Sequence, residues 1–104
     1  MKEEIIDNIV NIIVSKVKPD KIILFGSYAR GDYRKDSDID ILILKKGLKN
    51  ERGISNSLYL EFFNNKIHIP VDIIAIDYDK YYKLNEDIGY IYKTIKQEGK
   101  IIYG

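Results

Sequence analysis

Three apolar runs of four residues, Ile22 to Phe25, Ile41 to Leu44 and Ile73 to Ile76, constrain most strongly what this chain can become. Each is too short for a buried helix, and Ile-rich enough for a buried strand. The segments between them carry a different period. Glu3 to Val17 places Ile5, Ile6, Ile9, Val10, Ile12, Ile13 and Val17 at helical spacing. Glu3 and Glu4 suit the start of that helix, Lys16 and Lys18 suit its end, and Pro19 stops it. Ile54, Leu58 and Phe62 predict a second helix ending at Asn64-Asn65. Ile88, Ile91, Tyr92 and Ile95 predict another, N-capped by Asn85 and closed by Gly99 as its C′ glycine.

The strands are predicted over Lys21 to Phe25, Ile39 to Leu44 (entered through Ser37-Asp38) and Ile67 to Ile76. Pro70 puts the third at a sheet edge or a strand start. Ser27 to Arg30 reads as a short helix closed by Gly31 and Asp32, and Lys100 to Tyr103 as a short last strand. Lys45 to Gly53 and Asp77 to Asn85 read as loops. The order α-β-α-β-α-β-α with a closing strand predicts an α/β (α+β) fold, a small mixed sheet flanked by helices.

A length of 104 residues predicts a single domain, residues 1–104, with no room for a separate substrate domain. Seventeen basic against sixteen acidic residues leave a net charge of +1, which argues against a grip on nucleic acid through bulk charge. The absence of Cys excludes disulfides, thiolate zinc sites and Cys nucleophiles. No apolar run approaches the roughly 20 residues of a membrane span. Glu3-Glu4 stand where a signal peptide would be basic, so a cytoplasmic protein is expected.

The chemistry is concentrated at three places: Phe25-Gly26-Ser27 at the end of the first strand, Asp38-Ile39-Asp40-Ile41 at the start of the second, and Val71-Asp72-Ile73 in the third. In a strand Asp38 and Asp40 would share one face, with Cα atoms about 6.5–7 Å apart. Beside so many Ile they would repel each other and lose hydration, and a cation relieves both costs. Such an open pair suits Mg²⁺, which takes one or two carboxylates plus substrate phosphates. The plainer alternative is two solvated residues at an exposed strand start. Asp72, among Ile and Val, is a third carboxylate able to complete a two-metal site, or else a polar residue on a half-exposed sheet. Asp77 is a rival third acid, although a turn Asp there is ordinary. Gly26-Ser27 leaves free backbone N–H groups where a strand turns into a helix, an arrangement that binds anions; a lone Gly-Ser is also a common turn. The P-loop pattern is absent.

Gly26-Ser27, ten residues, then Asp38-x-Asp40 resembles the signature of the nucleotidyltransferase superfamily with the DNA polymerase β fold. The fuller run Gly26-Ser27-Tyr28-Ala29-Arg30-Gly31-Asp32 through Ser37-Asp38-Ile39-Asp40 is similar to its small prokaryotic branch, the minimal nucleotidyltransferases (MNT). The ending Glu98-Gly99-Lys100-Ile101-Ile102-Tyr103 also resembles that branch. The resemblance implies a polymerase β-like fold and metal-dependent transfer of a nucleoside monophosphate, AMP from ATP, with release of pyrophosphate. Asp38 and Asp40 would hold metal ions, two Mg²⁺ or alternatively Mn²⁺. Asp72 would hold the catalytic one and help deprotonate the acceptor hydroxyl. Gly26 and Ser27 would hold the β- and γ-phosphates. Arg30 would approach phosphate or acceptor, or make an ion pair with Asp32 or Asp36.

Many members of this branch are encoded beside a HEPN-domain protein that resembles a toxin ribonuclease. In such pairs the nucleotidyltransferase acts as antitoxin by adding AMP to a tyrosine of its partner. The resemblance therefore implies a HEPN partner and a hetero-oligomer. Two other readings stay open: a non-catalytic module that masks the toxin, and transfer to a small-molecule alcohol with a partner subunit completing the site. No feature selects adenine. Of the remaining residues, His68 reads as structural or solvated, Lys93, Lys96 and Lys100 as a solvated face, and the Tyr residues of the last third as core cover or an interface.

Overall fold

The computed structural model describes residues 2–84 and 90–104. In chain order the elements are α1 (Lys2–Val17), β1 (Lys21–Phe25), α2 (Gly26–Arg30), β2 (Ile39–Lys45), α3 (Glu51–Asn64), β3 (Val71–Asp77), α4 (Tyr78–Leu84), α5 (Tyr90–Glu98) and β4 (Lys100–Tyr103). The four strands form one mixed sheet in the order β3-β2-β1-β4. β1 runs antiparallel to both β2 and β4, whereas β2 and β3 are parallel. The predicted mixed α/β architecture is therefore the one observed, with Pro70 immediately before an edge strand.

Alternation along the strands divides the apolar side chains between two layers. Ile22, Leu24, Ile39, Ile41, Ile43, Val71 and Ala75 join Ile9 and Ile13 of α1 and Leu58 and Phe62 of α3. On the other face Ile23, Phe25, Leu42, Leu44 and Ile76 join Tyr81 of α4 and Ile95 of α5. Ile22, Ile41, Leu42, Ile43 and Leu44 are fully buried, and each such side chain contributes roughly 1.5–3 kcal/mol of transfer free energy. The four-residue runs are uniformly apolar because the sheet is covered on both sides.

Several boundaries differ from the sequence reading, each for a local reason. β3 starts at Val71, not Ile67. Ile67 instead closes the turn after α3, its amide donating to the Phe62 carbonyl at 2.9 Å. Pro70 has no N–H, and its carbonyl accepts from the Ile39 amide at 2.9 Å, so ladder pairing begins only there. α3 starts at Glu51 within the expected loop, because the Asn50 side chain caps it by accepting from the Gly53 amide at 3.0 Å. The segment after β3 is helix α4 rather than loop: Asp77 accepts from the Lys80 amide at 3.0 Å and starts it. Gly99 does end α5, but its backbone is not left-handed. Its amide donates to the Ile95 carbonyl at 2.7 Å, and a Cβ there would stand 2.7 Å from Ile23 Cγ2. The predicted Asn85 cap and Ile88 lie outside the described residues.

Tyr81 is buried in the second layer, whereas Tyr82 and Tyr103 are exposed. The tyrosines of the last third thus divide between core and surface. His68, Lys93, Lys96 and Lys100 are exposed. No helix among the described residues is long and apolar enough to cross a membrane.

Candidate active site

Among the described residues, α4 and α5 cover their face of the sheet only in part. Along β2, Leu42 and Leu44 lie under those helices, while Asp40 occupies the same face at the strand's opening end. β1 ends beside it, since Phe25 is the cross-strand partner of Asp40. On the other side Asp40 is paired with Asp72 of β3. Two carboxylates thus stand opposite each other across a parallel pair, where the carboxyl end of β1 meets the amino ends of β2 and β3. β2 opens at Ile39, so Asp38 lies just outside the strand rather than within it, and it is exposed.

Electrostatics place all three acids in one neighbourhood. The Asp40 carboxyl is held above the usual aspartate range by loss of hydration, then by the charges of Asp72 and Asp38; the Arg30 guanidinium opposes this. The Asp72 carboxyl is also raised, by loss of hydration, then by the charge of Asp38 and hydrogen bonding to it. Asp72 is solvent-exposed near the start of an edge strand. It is thus not enclosed by the Ile and Val residues that flank it in sequence. Among the described residues no three His, Cys, Asp or Glu side chains stand as a ready-made metal cage. The set is an open one. Carboxylates that repel one another at a solvent-facing edge would suit a cation such as Mg²⁺, which takes one or two carboxylates together with water and substrate phosphates.

Gly26 forms the floor of the site. Its φ of 73° lies in the left-handed region, and a Cβ there would overlap Asp40 Oδ2. Only glycine lets the chain turn from β1 into α2 so close to that carboxylate. Ser27 follows at the first turn of α2 and is half-buried. Its carbonyl accepts from the Gly31 and Asp32 amides at 2.9 and 3.2 Å, closing the short helix as expected.

Arg30 is held by two acids. Nε donates to Asp32 Oδ2 at 3.2 Å and Nη1 to Glu98 Oε2 at 3.0 Å. These contacts raise its pKa, Asp32 more than Glu98. The Asp32 ion pair was among the sequence alternatives. Glu98 was not, since nothing in the spacing of residues 30 and 98 signals that β4 brings the end of α5 back beside α2. Asp77, the rival third acid, is used structurally. It accepts from the Lys80 amide and from the Gly47 amide at 2.7 Å. These backbone bonds, Lys80 foremost, hold its carboxyl below the usual range.

A family model described as the nucleotidyltransferase domain matches residues 6–102. The chain belongs to the nucleotidyltransferase domain family. One relative of this nucleotidyltransferase, named as a candidate protein adenylyltransferase of Methanocaldococcus jannaschii, is 34% identical over 94 residues, covering 86% of this chain and 93% of the relative. Three further M. jannaschii proteins of the same name match over shorter segments, and those segments span 33%, 45% and 49% of their lengths. Among solved structures, a toxin–antitoxin with AMP-PNP superposes with a TM-score of 0.69 at 21% identity, covering 94% of this nucleotidyltransferase and 72% of that chain. A tri-AMPylated HEPN toxin of Shewanella oneidensis in complex with MNT antitoxin gives 0.61 at 20% identity, covering 100% and 73%. At these identities the structural likeness establishes a shared fold.

Proposed function

We propose that this nucleotidyltransferase moves AMP from ATP onto a tyrosine hydroxyl of a HEPN-domain toxin and thereby acts as its antitoxin, as a single catalytic domain working against its partner. The observation that carries the reading is the pairing of Asp40 with Asp72 beside Asp38, at the strand end where Gly26 turns the chain. The names of the relatives, and the toxin–antitoxin complexes sharing the fold, support the choice of acceptor.

In this reading Asp38, Asp40 and Asp72 hold Mg²⁺, with Mn²⁺ an alternative for the same oxygen ligands. Ions held by these three acids would supply charge neutralisation for the triphosphate and favour loss of the acceptor's proton. Gly26 and Ser27 supply hydrogen bonds to the β- and γ-phosphates. The acceptor oxygen bonds to the α-phosphorus, the bond from that phosphorus to the β-phosphate oxygen breaks, and pyrophosphate leaves. Asp72 takes the hydroxyl proton. Positioning and charge neutralisation supply most of the rate in such transfers. Arg30, anchored by Asp32 and Glu98, keeps its positive charge near Asp40 and the incoming phosphates.

Incubation with α-labelled ATP, Mg²⁺ and a HEPN-domain protein encoded beside this chain tests the proposal. Label on a tyrosine of that protein, lost in an Asp38→Asn/Asp40→Asn variant, is the expected result. Absence of transfer by the folded wild type overturns it. Neutralisation of the toxin by the double variant would instead identify a masking module.

A further inference from the structure

β3 is an edge strand, so it is held by a ladder on one side only, that of β2. Along its outer side, backbone N–H groups have no neighbouring strand among the described residues. One of them is nevertheless partnered by a side chain. The Ile73 amide donates to the Tyr59 phenol oxygen at 3.0 Å. Ile73 follows Asp72 directly, and the strand begins only one residue before Asp72 because Pro70 contributes no N–H.

The reach of Tyr59 is set by α3. Leu58 and Phe62 are 0% and 4% exposed, anchoring the helix on the sheet. Tyr59, one residue round from that buried face, is 40% exposed and its ring extends to the rim of β3. A phenol is well suited here: the ring is rigid, and the hydroxyl accepts a backbone bond while remaining free to donate to solvent.

We propose that Tyr59 is a positioning residue for Asp72, fastening the outer side of β3 so that the carboxylate stays opposite Asp40 and keeps its hold on the divalent ion. This rests on the metal-binding role proposed for the three acids. Strand ends open readily, and a shift by one residue would turn Asp72 to the opposite face of the sheet. The β2 ladder and the Tyr59 bond grip β3 from its two sides at the position where the site needs it.

The test uses Tyr59→Phe, which keeps the ring and deletes the oxygen, and Leu60→Ala, a control for disturbance of exposed α3. Mn²⁺ binding to the nucleotide-free protein is titrated by the free-ion electron paramagnetic resonance signal. Amide exchange at Ile73 is followed in parallel. Tyr59→Phe is expected to weaken Mn²⁺ binding about tenfold, the lower end for loss of a group that orients a metal ligand. It should also accelerate exchange at Ile73, with Leu60→Ala matching wild type in both. Wild-type Mn²⁺ affinity in Tyr59→Phe overturns the proposal, as does equal weakening by Leu60→Ala. Wild-type Mn²⁺ affinity in Asp38→Asn/Asp40→Asn overturns the metal reading itself and this proposal with it. That result is distinct from failure of Tyr59 alone, in which the double variant loses binding and Tyr59→Phe does not.

Discussion

Asp40 and Asp72 are direct cross-strand partners in the parallel β2–β3 pair, with their carboxyls both raised above the ordinary aspartate value. Like charges placed opposite each other on a sheet destabilise it. The arrangement costs folding free energy, and a cation held there as proposed would offset that cost.

The linkage has a definite sign. Between the ordinary aspartate value of 3.8 and their raised values, Asp40 and Asp72 bind more protons in the folded protein than in the unfolded chain. The contribution of these two groups to stability therefore falls as pH rises through that window, and the loss persists above it. Asp40→Asn should melt at a higher temperature than wild type at neutral pH without divalent ions, the advantage vanishing below the ordinary aspartate value. A thermal melt series across pH checks this; an equal or lower melting temperature at neutral pH contradicts it.

Activity should move the opposite way. On the proposed metal role of these acids, losing metal-borne charge stabilisation costs several kcal/mol in the transition state, and each 1.36 kcal/mol is tenfold in rate. Asp38→Asn/Asp40→Asn should lower kcat by more than about a hundredfold while its circular dichroism matches wild type. Residual transfer within tenfold of wild type would place the metal ligands elsewhere.

At Gly26 the backbone and the carboxylate share one space. Gly26→Ala meets a left-handed backbone, which costs a non-glycine residue roughly 1–2 kcal/mol, and it also displaces Asp40. Mn²⁺ affinity should fall in the fraction that remains folded. Denaturant titration read beside metal titration separates the two effects; a stable variant with wild-type affinity would contradict the close packing.

Arg30 offers a discriminating pair of substitutions. Its ion pairs with Asp32 and Glu98 are exposed, and exposed pairs contribute little to stability. Arg30→Ala should raise KM for ATP while leaving the melting temperature nearly unchanged. Glu98→Gln, which removes one anchor but keeps the guanidinium, should raise KM less. Equal KM values for Arg30→Ala and wild type would restrict Arg30 to joining α2 and α5.

Much of this was legible in the residues. The uniform Ile-rich runs announced strands covered on both faces, and the helical period of Glu3 to Val17 announced α1. The Gly26-Ser27 turn and the Asp-x-Asp pair could be read because each needs only local geometry. Two errors came where side chains act on backbone a few residues away: Asn50 caps α3 and Asp77 caps α4, turning expected loops into helix. Composition of a short polar stretch does not reveal which side chain will cap.

The sequence by itself determined the alternation of elements and the acids available for chemistry, because hydrophobic period and residue type act locally. Only the tertiary structure decided which acids meet. Asp72 rather than Asp77 joins Asp40 because the β2–β3 register pairs residue 72 with residue 40, while Asp77 turns to the loop amides. Tyr59 beside β3 and Glu98 beside Arg30 are likewise products of packing. Contacts across 14 and 68 residues depend on strand order and helix placement, and no local pattern encodes those.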